Sequence, residues 1–107
     1  PPKLDLILLG LGDDGHTASL FPYSESLMVC DKWTTVCSGN GFDRITLTHS
    51  VLSAARKVVF LVSGASKQVA LKRLLDPNEP FDRTPAKLVQ PSSEVLILAD
   101  NSSTTLL

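Results

Sequence analysis

Asp14, Gly15 and His16 stand in a row just after an apolar run, and no other stretch of the chain gathers so much reactive chemistry. Histidine gains and loses a proton near neutral pH, so it can act as a general base or acid. A carboxylate beside it can fix the tautomer of the imidazole and stabilise its cation. Gly10, Gly12 and Gly15 let the backbone turn sharply and bring amide N–H groups close to a ligand. Spacing alone is equally compatible with a solvated turn whose histidine only caps a helix.

Two cations have settings that suit an anion. Lys67 follows Ser63-Gly64-Ala65-Ser66, a small-residue loop between an apolar run and a helical stretch. Backbone amides and a helix N-terminus attract phosphate at such a place, and lysine adds a full charge. The spacing is not that of a P-loop. Arg44 opens Arg44-Ile45-Thr46-Leu47-Thr48, and its guanidinium fork suits bidentate phosphate binding. Each cation taken singly also fits an ordinary surface position.

Gly10-Leu11-Gly12-Asp13-Asp14-Gly15 formally satisfies the dinucleotide pattern G-x-G-x-x-G. That reading fails on three counts. His16–Phe21 meets Pro22 too soon for the helix that would hold a pyrophosphate, and Asp13 and Asp14 put negative charge where the pyrophosphate would lie. No second βαβ strand follows this loop with an acid at its end.

Three apolar segments must position these groups: Leu4–Leu9, Val58–Val62 and Val95–Leu98. Continuous Leu/Ile/Val runs mark strands buried on both faces of a parallel sheet covered by helices. Between the last two, Ser66 is placed to cap a helix on which Val69, Ala70, Leu74 and Leu75 recur at helical spacing. Pro77 ends it. The result is a βαβ unit, with His16 and Lys67 both after strand C-termini, where open α/β sheets bind ligands. Trp33–Cys37 and Ile45–Thr48 read as an antiparallel pair around Ser38-Gly39-Asn40-Gly41, and Ser50–Ala55 as a helical turn or two. The polar tail from Asn101 reads as a segment that frays. Three buried strands are few for a parallel sheet, so the 107 residues read as an incomplete part of a larger domain.

A formal net charge of −1 supplies no broad positive field for nucleic acid or an anionic membrane. No apolar run approaches the roughly 20 residues that span a bilayer. Cys30 and Cys37 suit neither a disulfide scaffold nor a zinc site, and read as reduced, partly buried thiols in the cytoplasm.

Leu8-Leu9-Gly10-Leu11-Gly12-Asp13-Asp14-Gly15-His16-Thr17-Ala18-Ser19-Leu20-Phe21-Pro22 closely resembles the signature of the 6-phosphogluconolactonases. Further stretches resemble the same family in the same order: Arg44–Thr48 with Val51-Leu52 and Ala54-Ala55, Val62-Ser63-Gly64 with Lys67, and Leu88-Val89-Gln90-Pro91. The resemblance spans about Leu4 to Asp100 and implies a Rossmann-like α/β fold with a mostly parallel sheet flanked by helices. It makes residues 1–107 the C-terminal part of a longer domain, shared in type with the glucosamine-6-phosphate deaminases.

The activity so implied is hydrolysis of 6-phosphoglucono-1,5-lactone to 6-phosphogluconate in the oxidative pentose phosphate pathway, without metal or cofactor. His16 is then the general base toward water, and Asp14 the group that orients it. Arg44 and Lys67 hold the substrate phosphate, and Gly12 and Gly15 shape the loop. The expected partners are a small phosphorylated sugar lactone and the missing N-terminal half of the same protein, which in the family brings a second phosphate-contacting loop and an acidic motif. His49-Ser50 replaces the family's usual Leu-Pro, and His49 reads as a surface substitution. Two other functions compete. The deaminases typically continue from Asp-Gly-His toward Asn-Glu-Pro, unlike Thr17–Pro22 here. A truncated relative would bind sugar phosphate without turning it over.

Overall fold

A computed structural model of the chain describes residues 1–39 and 41–107; Asn40, in the expected turn, lies outside the described residues. Three parallel strands, β1 (Ile7–Gly10), β4 (Val58–Val62) and β5 (Val95–Ala99), form one sheet in the order β1-β4-β5. A separate antiparallel hairpin pairs β2 (Thr34–Gly39) with β3 (Phe42–Leu47), with Val36 opposite Ile45 and Cys37 opposite Arg44. Helix α1 (His49–Ala54) precedes β4, and α2 (Gln68–Leu75) crosses over from β4 to β5. The βαβ unit, the hairpin and the short helix are thus all present, with boundaries moved by a few residues.

The sheet buries one face. Ile7 pairs with Val58 and Val58 with Val95, while Leu9 pairs with Phe60 and Phe60 with Ile97. This row packs with Leu52 and Ala55 of the α1 region, Ala70 and Leu71 of α2, and Ala86 and Val89 beyond it. Phe60 is the largest side chain buried there. Burial on both faces does not hold within this chain. On the other face Leu8 is 59% exposed, Leu61 48%, Leu96 43% and Leu98 52%, and only Val59 of the central strand is covered. Continuous hydrophobicity was the right signal for strands, but the described residues leave their second face largely exposed.

Two local details also differ from expectation. A 3-10 turn at Ala65–Lys67 leads into α2, so Gly64 (φ 101°) and Lys67 occupy the cap positions and Ser66 makes no side-chain cap bond. The tail does not fray at once: Asn101–Ser103 forms a 3-10 turn in which the Ser103 N–H donates to the Asp100 carboxylate. No helix among the described residues is long and apolar enough to cross a membrane.

Candidate functional site

The C-terminal ends of β1, β4 and β5 lie side by side, and the three segments that leave them build one edge. From β1 the chain turns through 11–16 without forming a helix. The turn is closed by its own backbone: the Gly12 N–H donates to the His16 carbonyl (2.8 Å), and the Gly15 N–H to the Gly12 carbonyl (2.9 Å). Thr17 is buried and donates its hydroxyl to the Gly10 carbonyl (2.8 Å), pinning the turn to the strand end.

Within this turn Asp14 Oδ1 meets His16 Nδ1 at 2.6 Å and accepts the His16 backbone N–H at 3.0 Å. Partial burial works to raise the Asp14 pKa, but the bonds from the His16 ring and backbone outweigh it, and the carboxyl is held below its ordinary value. An ionised carboxylate only accepts, so Nδ1 carries a proton, and in the neutral imidazole Nε2 keeps its lone pair. The imidazole packs tilted on Phe21, with ring centroids 4.6 Å apart. Gly12 also borders the ring, and any Cβ there would collide with His16 Nδ1 and Cε1. The absence of a side chain at Gly12 gives the ring its place.

The hairpin holds Phe21 from below. The Ser19 N–H donates to Thr46 Oγ1 (3.1 Å), and the Cys37 thiol to the Ser19 carbonyl (3.0 Å). A Cβ on Gly39 would run into the Phe21 ring. Arg44 sits with its guanidinium 5.6 Å from the centre of that ring and donates Nε to the Gly39 carbonyl (3.2 Å). Cys37 is buried and desolvation raises its pKa, whereas Cys30 is exposed, contrary to the expectation of two partly buried thiols.

From β4, Ser63 and Gly64 hang on Asp100 at the end of β5. The Ser63 hydroxyl donates to Asp100 Oδ2 (2.8 Å), and the Gly64 N–H reaches both carboxylate oxygens. These bonds, the Ser63 hydroxyl first, hold the Asp100 pKa at about 2. Lys67 then reaches across to β1's loop, with Nζ 2.7 Å from Asp13 Oδ1. The hydrogen bond from Lys67 is the main cause of a lowered Asp13 pKa.

The cleft at this edge, about 430 Å³, is lined by Leu8, Gly12, His16, Ala18 and Lys67 among others. It takes in the imidazole and the ammonium together. His16, Asp14, Gly12 and Lys67 are therefore brought to one place, while Gly15 is buried against Thr84. Arg44 is linked to His16 through Phe21, against which both lie. His49 begins α1, half-buried and apart from the cleft-lining residues. Phe21, Asp13, Gly39 and Asp100 were not singled out from the sequence. Asp13 and Asp100 each carried a signal, as carboxylates just beyond a strand on the ligand-binding edge. Among the described residues no group of three His, Cys, Asp or Glu side chains is placed to hold a metal.

Comparison with known proteins adds four findings. The family model for "Glucosamine-6-phosphate isomerases/6-phosphogluconolactonase" matches residues 1–98. A 6-phosphogluconolactonase from Synechocystis is 49% identical over 102 residues, covering 95% of this chain and 42% of that protein. The crystal structure of 6-phosphogluconolactonase from Leishmania guyanensis superposes with a TM-score of 0.85 at 27% identity, covering 97% of this chain and 42% of that one. A monomeric glucosamine-6-phosphate deaminase of the NagB superfamily superposes with a TM-score of 0.79 at 25% identity, over 96% of this chain and 48% of its own. The chain thus spans less than half the length of the relatives it matches.

Proposed function

The chain belongs to the glucosamine-6-phosphate isomerase/6-phosphogluconolactonase family, and from that premise we propose that the protein it forms part of hydrolyses 6-phosphoglucono-1,5-lactone to 6-phosphogluconate. The observation that carries the reading is the His16–Asp14 pair, with Nε2 free, on a cleft that also holds an ammonium group.

His16 Nε2 takes a proton from water as the water oxygen adds to the lactone carbonyl. The tetrahedral intermediate then breaks its bond to the ring oxygen, and the imidazolium returns the proton to that oxygen. A positioned base contributes about 10²–10⁴-fold. Asp14 keeps the ring in the useful tautomer and stabilises its charged form. Lys67 binds the phosphate, remote from the reacting carbon, so its grip supplies orientation. Arg44, one ring away from His16, serves the same anion once the rest of the protein completes the cleft. Gly12 and Gly15 shape the loop. Residues 1–107 act as the C-terminal part of the domain, with the remainder packed on the bare sheet face, and the enzyme works in the cytoplasm on a soluble sugar phosphate.

The test is a steady-state assay of the full-length protein and its His16→Ala and Asp14→Asn variants on freshly made lactone, with spontaneous opening subtracted. Turnover should collapse in His16→Ala and fall strongly in Asp14→Asn. Full-length protein that turns over no faster than the background overturns the hydrolase reading. Release of ammonia from glucosamine 6-phosphate would then favour the deaminase reading, and phosphate-sugar binding alone a non-catalytic one.

A further inference from the structure

Gly15, the one residue between Asp14 and His16, rests against buried Thr84, which is bonded to the buried carboxylate of Glu79 and through it to the exposed Arg83. The Ala86 N–H donates to the Gly15 carbonyl (3.1 Å), tying the turn to the segment that follows α2. A Cβ built on Gly15 would lie 3.0 Å from Thr84 Cγ2 and 3.1 Å from Thr84 Cα, so Thr84 is the surface on which Gly15 rests. Gly15 takes φ +92° to fit there, a conformation open to glycine at little cost.

Thr84 is fully buried and donates its hydroxyl to Glu79 Oε2 at 2.7 Å. Arg83 forks onto the same carboxylate, Nε to Oε2 at 2.7 Å and Nη2 to Oε1 at 2.6 Å. The Glu79 side chain is only 2% exposed. A carboxylate tolerates such burial when its lone pairs are met by charged and polar donors, and the bidentate arginine gives it one geometry. Neither Glu79 nor Arg83 lines the cleft. The segment is tied to the catalytic side a second time, by the Tyr23 N–H donating to the Asp82 carbonyl (2.8 Å).

We propose that Glu79 is a positioning residue: acting through the Thr84 hydroxyl, it fixes the backbone of Gly15 and thereby the contact between Asp14 and His16. The turn's own bonds, Gly12 to His16 and Gly15 to Gly12, are internal and set its shape. Thr17 pins it to the end of β1 and Lys67 meets it at Asp13, while the Glu79–Thr84 shelf backs Gly15 itself. The role rests on the reading of His16 as the base.

Full-length protein labelled at its histidine ring nitrogens tests this, with the His16 Nδ1 proton signal assigned by comparison with His16→Ala. Thr84→Val removes the hydroxyl and keeps the bulk, Glu79→Gln removes the charge, and Thr84→Ser keeps the hydroxyl. Well below the Tm of each variant, Thr84→Val and Glu79→Gln should lower kcat at least about fivefold with KM unchanged, since small displacements of a reacting group are costly. The His16 proton signal should shift or broaden in both, and Thr84→Ser should retain both readouts. A lower Tm with wild-type kcat and an unchanged His16 signal would make the cluster merely structural and overturn the proposal. So would a Thr84→Ser as impaired as Thr84→Val, which would locate the effect in the methyl contact. If Glu79→Gln does not fold, Thr84→Val decides. If the wild type shows no turnover, the hydrolase reading fails, while the His16 signal still reports whether the shelf positions the pair.

Discussion

An imidazole needs room as much as it needs a partner, and at Gly12 the room is a missing side chain. Gly12→Ala would press a methyl against His16 Nδ1 and Cε1 and force the ring off Asp14. We expect kcat to fall on the order of 10²-fold, because reacting groups tolerate little misplacement. Gly12 is only half-buried, so the Tm should move by no more than a few degrees; steady-state kinetics beside a thermal melt checks both. Asp13 poses the opposite problem. Its carboxylate pairs with the ammonium of Lys67, and a phosphate arriving there must compete with it. Asp13→Asn should therefore tighten competitive inhibition by inorganic phosphate a few-fold at low salt, with the gain fading as ionic strength rises. Inhibition that weakens instead would mean that Asp13 orients Lys67 for its ligand.

At the scale of elements, the β4–α2 turn is held by Asp100 and the segment after α2 by Glu79. The Asp100 carboxyl is held at about 2, below its ordinary 3.8, chiefly by the Ser63 hydroxyl. Glu79 is held at about 2, below 4.5, chiefly by Arg83. A folded-state pKa below the unfolded one contributes stability that is complete above the unfolded value and lost as pH falls through the folded one. The Tm should thus drop steadily from about pH 4.5 toward pH 2, and Asp100→Asn should flatten the lower part of that curve; identical curves for variant and wild type would refute the assignment. The sequence revealed the strands because each is a short apolar run, and the reacting pair because its members are near neighbours. It misplaced the cap of α2 because the Gly64 turn, held by Asp100 from 36 residues away, takes precedence over local Ser66 chemistry. Phe21 under His16, Asp13 on Lys67 and Thr84 behind Gly15 are contacts through space between segments, and no periodicity announces them.

For the whole molecule, Leu8, Leu61, Leu96 and Leu98 form an apolar face that a complete domain would cover. The isolated 107 residues should bind a hydrophobic dye that full-length protein ignores. Leu61→Asp should reduce dye binding by the isolated chain yet lower the Tm of the full-length protein, since there it would bury a charge. An unchanged full-length Tm would mean that this face stays open to water. The two halves of the cleft also differ in what holds them together. Asp14 and His16 enclose a loop of one residue, so their meeting has almost no loop-closure entropy to overcome. Lys67 reaches Asp13 from the turn after a different strand, across 54 positions of chain, and depends on the sheet to do so. Mild loosening of the sheet would release the anion-holding arm first and leave the proton-moving pair intact. Such a molecule would lose its selectivity before it lost its chemistry.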